Sequence, residues 1–454
     1  MRLSEAARAI GAEAKGAEVA FGCVQTDSRA LTPGCLFVAL RGARFDGHAF
    51  VEEALGKGAA AVMIDRAHPL SPDPPPALVV EDTRLALGRL AAWHRAGMPA
   101  RIVAITGSNG KTTVKEMTAA ILRAEVGAEA VLATEGNLNN DIGVPLTLLR
   151  LKPAHRYGVI EMGMNHAGEI AYLTRLAHPD VALVNNAQRA HLEGLATVEA
   201  VARAKGEIYE GLRPDGVALV NGDDPHAPLW LELNAHRRCL RFGLGAQAEI
   251  WAEYDLYPEG ARLTLHTPLG PIPVELQVPG LHNVRNAAAA TAASIALGAP
   301  ADAIQAGLAA YRGVKGRLQT HPCILGATLI DDSYNANPDS VTAAIQVLAA
   351  RPGRRILVLG DMGELGPGAV ELHRTIGEAA RAAGIDRLLA LGELSRHAVE
   401  GFGAGGMHFE RIEELLAEVE YALGPDVTVL VKGSRFMRME RIVQSFVEER
   451  HLCS

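Results

Sequence analysis

Between an apolar run, Arg101-Ile102-Val103-Ala104-Ile105-Thr106, and a helical pattern, the chain carries Gly107-Ser108-Asn109-Gly110-Lys111-Thr112-Thr113. A glycine-rich turn at such a junction lets backbone N–H groups close on phosphate oxygens. The first turn of the helix adds the positive end of its dipole. Lys111 would set a point charge on the β- and γ-phosphates, and the Thr112 hydroxyl would ligate Mg2+. A standard P-loop has glycine where Ile105 stands, so the turn is an imperfect match to it. A plain strand-to-helix turn would not need Gly-Lys-Thr-Thr together. Residues 107–113 are therefore the expected triphosphate site.

Two scarce residue types trace the rest of a site. Eight of the 44 basic residues are lysine, so arginine serves wherever a generic charge is enough. A lysine at a special position hints at a need for a primary amine. Asparagine numbers 13, and 11 of these fall in six short clusters: Asn109; Asn137, Asn139 and Asn140; Asn165; Asn185 and Asn186; Asn283 and Asn286; Asn335 and Asn337. Surface solubility would scatter them, so the clustering suggests a polar site assembled from distant segments. The alternative reading, turns and helix caps, accounts for about a third of them.

Positioning such a site takes several elements, and the length allows them. At about 150 residues per domain, 454 residues suggest three domains. Charge arithmetic, 44 basic against 52 acidic residues, gives −8, which argues against a general nucleic-acid or anionic-membrane surface. No stretch approaches the roughly 20 apolar residues that span a bilayer. Residues 1–8 read as an amphipathic helix and not as a signal peptide. The five cysteines are scattered, without a Cys-x-x-Cys pair, and the expectation is a reducing, cytoplasmic setting with neither a disulfide framework nor a zinc site.

The pattern along the chain predicts an α/β protein of three domains. Residues 1–82 mix short strands and helices. Residues 83–317 alternate strand and helix around the 101–106 strand, which predicts a parallel sheet covered on both faces. Period-two segments after residue 239 read as appended antiparallel hairpins. Residues 318–454 form a second alternating, Rossmann-like unit, without a dinucleotide fingerprint after its first strand.

Several stretches resemble the Mur ligases and the related folylpolyglutamate synthases over essentially the whole chain. They are Gly107-x-x-Gly110-Lys111-Thr112, Thr26-Asp27-Ser28-Arg29 with Phe45-Asp46-Gly47-His48, Gly136 to Pro145, Glu161 to Asn165, Ala190 to Glu193, Asp332 to Pro338, and Gly360 to Gly366. Asn335-Ala336-Asn337-Pro338 fits the branch that adds D-alanyl-D-alanine. The Asp-Asn-Pro-Arg motif of the branch adding the third amino acid is absent. The other readings are that third-residue-adding branch, a folylpolyglutamate synthase, and, from another class, an ATPase switch that needs no carboxylate and amine pair.

The resemblance implies an ATP-dependent ligase that joins D-Ala-D-Ala to UDP-MurNAc-tripeptide through an acyl phosphate. It implies two Mg2+ ions, held by Thr112, Glu161, His191 and Lys205, the last as a CO2-derived carbamate. Lys111, Lys205, His191 and Glu161 are then the catalytic set. Only a neutral primary amine can be carbamylated, which guanidinium cannot become in a protein; an ordinary surface lysine is the alternative. Glu161 ends a buried strand, where an unpaired carboxylate is costly and a metal explains it.

Asn283, Asn286, Arg317 and Asp332 are implied contacts of ATP. Ser28, Arg29, Asp46 and His48 are implied for the uridine nucleotide. Asn137, Asn139, Asn140, Tyr334, Asn335 and Asn337 are implied for the remaining substrate surface. Lys432, Ser434 and Arg435 are implied for the incoming dipeptide or the transferred phosphate. A monomer without nucleic-acid or membrane partners, closing its three domains over the ligands, is the overall expectation.

Overall fold

The computed structural model describes residues 1–42, 45–69 and 71–447. Three sheets follow one another along the chain. The first orders its strands Glu13–Lys15, Ala77–Val80, Ala61–Asp65, Cys35–Val38 and Cys23–Gln25, parallel except at the Glu13–Lys15 edge. Its central strands are buried except at Asp65, as continuous apolar runs require when both faces are covered.

The second sheet has nine strands, ordered Gly270–Leu276, Gly260–Thr267, Ile250–Tyr257, Arg238–Gly243, Val217–Asn221, Val181–Val184, Arg101–Thr106, Tyr157–Glu161 and Val131–Ala133. The strand Arg101–Thr106 lies between Val181–Val184 and Tyr157–Glu161, parallel to both. One apolar cluster fills each face of this sheet. The period-two segments do form antiparallel pairs, but Ile250–Tyr257 also joins Arg238–Gly243 in parallel. The hairpins thus extend the sheet. The helix Leu281–Leu297 buries a run of alanines against it, since small side chains let the backbone approach closely. It starts at Leu281, five residues before the alanine pattern shows, so Asn283 and Asn286 lie in its opening turns.

A single helix over 198–212, as the pattern suggests, is split. The α-helix ends at Gly206 and a 3-10 turn runs Glu207–Gly211. A Cβ on Gly211 would sit 2.3 Å from the Thr174 backbone, so the chain must tighten there. Lys205 is thereby left in the last helical turn.

The third sheet orders Gln319–Pro322, Thr328–Asp332, Val427–Lys432, Arg354–Gly360, Arg387–Leu391 and Gly406–Phe409. All are parallel except the first. The helix Thr83–Ala96, capped by Asp82 Oδ1 on the Arg84 and Leu85 amides, serves two cores. Its Ala86, Leu87 and Leu90 pack with Leu3 and Ala6, while Ala91 packs in the central unit.

The cysteine expectation is corrected. Cys23 and Cys35, twelve residues apart, are register partners on adjacent parallel strands with Cα atoms 4.5 Å apart, and they form a disulfide. Spacing along the chain does not reveal strand register. Cys453 lies outside the described residues.

In the third unit, the helices Ala369–Ala382 and Arg396–Phe402 cross at Gly377, where a Cβ would lie 1.8 Å from the Ala398 carbonyl oxygen. Gly377→Ala should therefore destabilise the protein by about 2–3 kcal/mol through overpacking. A thermal melt checks this; an unchanged midpoint would mean that the two helices have room to part.

Candidate active site

The strand Arg101–Thr106 delivers the 107–113 turn to the sheet's carboxyl edge, where ligands of open α/β sheets bind. Thr106 Oγ1 donates to the Met162 carbonyl at 2.8 Å, tying the turn to the end of the neighbouring strand. Gly110 has a φ of 80°, and a Cβ there would meet Asn286 Oδ1 at 2.4 Å and Asn185 Nδ2 at 2.6 Å. No other residue fits. The helix Lys111–Val126 then begins with Thr112 and Thr113 buried. Lys111 Nζ folds back on the turn, donating to the Gly107 carbonyl at 2.6 Å and that of Ser108 at 3.3 Å. Burial lowers its pKa, and Glu161 opposes that shift.

Around this turn the structure opens a cleft of about 1,820 Å3 between the domains, and all 11 clustered asparagines line it. Several form one network. Asn185 Nδ2 donates to the Asn109 carbonyl (2.9 Å) and to Asn286 Oδ1 (3.0 Å). Asn286 Nδ2 donates to Asn283 Oδ1 (3.1 Å), and Asn283 Nδ2 to the Pro279 carbonyl (2.8 Å). Asn109 and Asn337 exchange reciprocal bonds of 3.2 and 2.8 Å across the central and third domains. The turn-and-cap reading applies to Asn140, which accepts from the Gly143 amide at 2.8 Å in the turn before a helix, and to Asn337, a helix cap that accepts from the Ser340 amide at 2.9 Å.

Glu161 is 2% exposed. Its Oε1 accepts from Asn139 Nδ2 at 2.8 Å, while its buried Oε2 has no partner. An unpartnered carboxylate oxygen beside a phosphate turn suits a cation. Lys205, 1% exposed, has no ion-pair or hydrogen-bond partner among the described residues. Burial, and then the charge of Lys111, hold its amine well below the usual lysine range. That burial removes the surface-lysine reading. His191 takes a left-handed backbone, φ 58°. Its Nδ1 lies 2.7 Å from Glu364 Oε2 without hydrogen-bond alignment. Among the described residues, no three His, Cys, Asp or Glu side chains are grouped to hold a metal by themselves. Mg2+ here would have to share phosphate oxygens, its usual habit.

The other candidates divide. Arg317 reaches Thr112, its Nη2 donating to Thr112 Oγ1 at 3.0 Å while its guanidinium lies 4.4 Å from the Tyr334 ring centre. Asp332 is paired with the buried Lys432, 2.6 Å away. Burial still raises the Asp332 pKa despite that partner. Lys432 Nζ also donates to the Asn335 carbonyl at 2.9 Å, so in this arrangement it serves its own domain. Ser434 Oγ accepts from the Gly363 amide at 2.8 Å, and Arg435, Tyr334 and Asn137 line the cleft.

Ser28, Arg29, Asp46 and His48 do not line it. Arg29 pairs with Asp27 at 2.7 Å. Both His48 nitrogens are engaged, Nδ1 with Asp46 Oδ1 at 2.6 Å and Nε2 accepting from the Asp65 amide at 3.1 Å. His48 thus braces the 46–48 turn and has no polar atom left for a ligand.

Residue types alone did not single out Arg189 and Asp339. Arg189 Nη2 lies 2.8 Å from Asp339 Oδ1, and the Arg189 amide donates to Asp339 Oδ2 at 2.8 Å. These close the central domain on the third. The only signal was Asp339 following Asn337-Pro338 at a helix start.

Family models match three consecutive stretches: Mur ligase family, catalytic domain, over residues 20–95; Mur ligase middle domain over 105–294; and Mur ligase, glutamate ligase domain, over 316–435. The chain is 48% identical to the UDP-N-acetylmuramoyl-tripeptide–D-alanyl-D-alanine ligase of Escherichia coli (strain K12), over 98% of each. The chain belongs to the Mur ligase family. Among solved Mur ligases, MurF from Acinetobacter baumannii superposes with a TM-score of 0.90 at 36% identity over 98% of both chains. MurF from Thermotoga maritima, solved with ADP, gives 0.82 at 28% identity over 93% of this chain and 96% of that one. A diaminopimelate ligase and a Mycobacterium tuberculosis folylpolyglutamate synthase, each at 19% identity, share the fold alone.

Asp339 carries one charged contact between the central and third domains, and Arg351 with Glu259, 3.0 Å apart, carries another. Asp339→Ala should loosen this Mur ligase, raising the radius of gyration of the ligand-free protein in small-angle scattering. Equal dimensions for variant and parent would show that other contacts hold the domains together.

Proposed function

We propose that this chain uses ATP to join D-alanyl-D-alanine to UDP-MurNAc-tripeptide, releasing ADP and phosphate, in the building of peptidoglycan precursors. Full-length identity of 48% to a ligase of that name carries the reading. The cleft chemistry supports it. A carboxylate attacking a γ-phosphate is anion meeting anion, and phosphoryl transfer of this kind rests on positioning and electrostatic stabilisation.

Residues 107–113 would cradle the phosphates, with Lys111 turning from its own backbone carbonyls to the ligand. Thr112 and Glu161 would hold one Mg2+, His191 and carbamylated Lys205 the other. Bound Mg2+ supplies the positive charge that lets the two anions meet. Arg317 would move from Thr112 to the phosphates. Asn283, Asn286 and Asp332 would hold the nucleoside. The first domain would take the uridine nucleotide through Ser28, Arg29 and the turn braced by His48. Asn137, Asn139, Asn140, Tyr334, Asn335 and Asn337 would hold the rest of the substrate.

The amine of the dipeptide, held against Ser434 and Arg435, would displace phosphate from the acyl phosphate. Docking of the third domain would exclude water from that step. Domain limits of 1–82, 83–317 and 318–454 follow the three ligands. Among the described residues, no helix is long and apolar enough to cross a membrane. A cytoplasmic monomer fits the nucleotide substrates.

Phosphate release with ATP, UDP-MurNAc-tripeptide and D-Ala-D-Ala should fall to background when either substrate is omitted. Turnover without the dipeptide would favour an ATPase switch, and turnover with diaminopimelate on the dipeptide precursor would favour the third-residue branch.

Lys205→Ala should lose at least about 100-fold in kcat, and short-chain carboxylates should restore part of it. Full activity without rescue would remove the carbamate. The pH dependence has a defined sign. With the amine pKa lowered by burial, the neutral form that reacts with CO2 extends to lower pH than for an ordinary lysine, and carbamate should be lost on the acid side as the amine is protonated. Labelled bicarbonate followed by carbon NMR reads this; loss on the alkaline side would contradict it.

A further inference from the structure

Four of the eight lysines lie at the cleft or buried behind it: Lys111, Lys115, Lys205 and Lys432. Lys115 has no place in the chemistry above, yet its side chain is 1% exposed. It stands one helical turn after Lys111, on the same face of Lys111–Val126. Its Nζ donates to the Thr134 carbonyl at 2.7 Å and contacts Glu116 Oε1. Thr134, itself 1% exposed, accepts the Glu161 amide on its hydroxyl at 2.9 Å. It also opens the loop that carries Asn139, whose Nδ2 donates to Glu161 Oε1 and whose carbonyl accepts from the Gly163 amide at 2.8 Å.

Glu161 is thus gripped at its backbone by Thr134 and at one carboxylate oxygen by Asn139. The other oxygen is bare. With no partner of its own, that oxygen is placed only by the bonds on the rest of the residue. Both of those run through the 134–139 segment, and Lys115 anchors the segment to the phosphate helix. An ammonium suits the task, since it is compact and its donors can turn to a carbonyl and a carboxylate together, whereas guanidinium presents a fixed planar fork. We infer that Lys115 is a positioning residue: it couples the phosphate-binding helix to the loop that aims Glu161, so that the triphosphate turn and the free carboxylate oxygen face one cation. Outer partners of this kind are worth 10- to 100-fold in metal affinity.

The inference rests on Glu161 as the cation ligand, and the test separates the two. Lys115→Met keeps the length and removes the donor. It should weaken calorimetric binding of Mg-ADP and raise the Mg2+ concentration for half-activity, each by about tenfold. Amides 135–140 should exchange faster in the ligand-free protein. Ile121→Val, in the core face of the same helix, should leave the Mg2+ requirement and that exchange unchanged while lowering the melting temperature. A folded Lys115→Met protein within twofold of the parent on all three readings would overturn the inference. Should that variant not fold, Thr134→Val decides on the same readings, with the same shifts expected and the same twofold limit overturning it. If Glu161→Gln leaves Mg2+ binding intact, the cation assignment itself fails; if Glu161→Gln weakens it and Lys115→Met does not, only the positioning role fails.

Discussion

Like charge must be held against like charge in this cleft, and that constraint organises the molecule. A triphosphate and an attacking carboxylate repel each other, so the protein gathers cations where water cannot screen them. The charge of Lys111 disfavours charging Lys205, and Arg317 adds to the cost of charging Lys111. Glu161 offsets only part of it, with one oxygen left unpartnered. The ligand-free protein therefore carries repulsion that bound anions and cations would relieve. Functional sites commonly break local rules of stability in this way.

Asparagine meets the remaining need without adding charge. Each side-chain amide both donates and accepts, so Asn109, Asn185, Asn286, Asn283 and Asn337 satisfy one another in the empty cleft. They can exchange those bonds for a ligand's at little net cost, since a hydrogen bond traded for another contributes little to the balance. The same chemistry lets Asn109 and Asn337 dock one domain on another. Arg189 and Asp339 add a charged contact beside them. Docking and ligand binding thus draw on neighbouring side chains.

The scaffold behind these groups is built for rigidity. Buried parallel strands end together at the cleft, and the alanine-rich helix lies close across the sheet. Thr106, Lys115 and Thr134 tie strand ends and loops by bonds shielded from water. Arg317 and Tyr334 stack at the junction of the second and third units, the guanidinium 4.4 Å from the centre of the half-buried ring.

Local rules reach far into this protein. Apolar runs mark buried parallel strands because both faces are covered, alternation marks the hairpins, and Gly110 before Lys111 marks the tight strand-to-helix turn because its positive φ suits glycine. Scarcity of lysine and asparagine pointed to the cleft, because the 11 clustered asparagines line it and Lys111, Lys205 and Lys432 lie at it or are buried behind it. What one dimension did not contain is who stands beside whom. Strand register joins Cys23 to Cys35, domain docking sets Arg189 on Asp339, and His48 turns inward to Asp46 and Asp65 although its motif suggested a ligand contact. Lys115 carries no signal of its own in the sequence, and only the fold lays Thr134 against it. Pairing of this sort depends on how twisted sheets and helices pack across hundreds of residues, and residue type restricts such pairings without choosing among them.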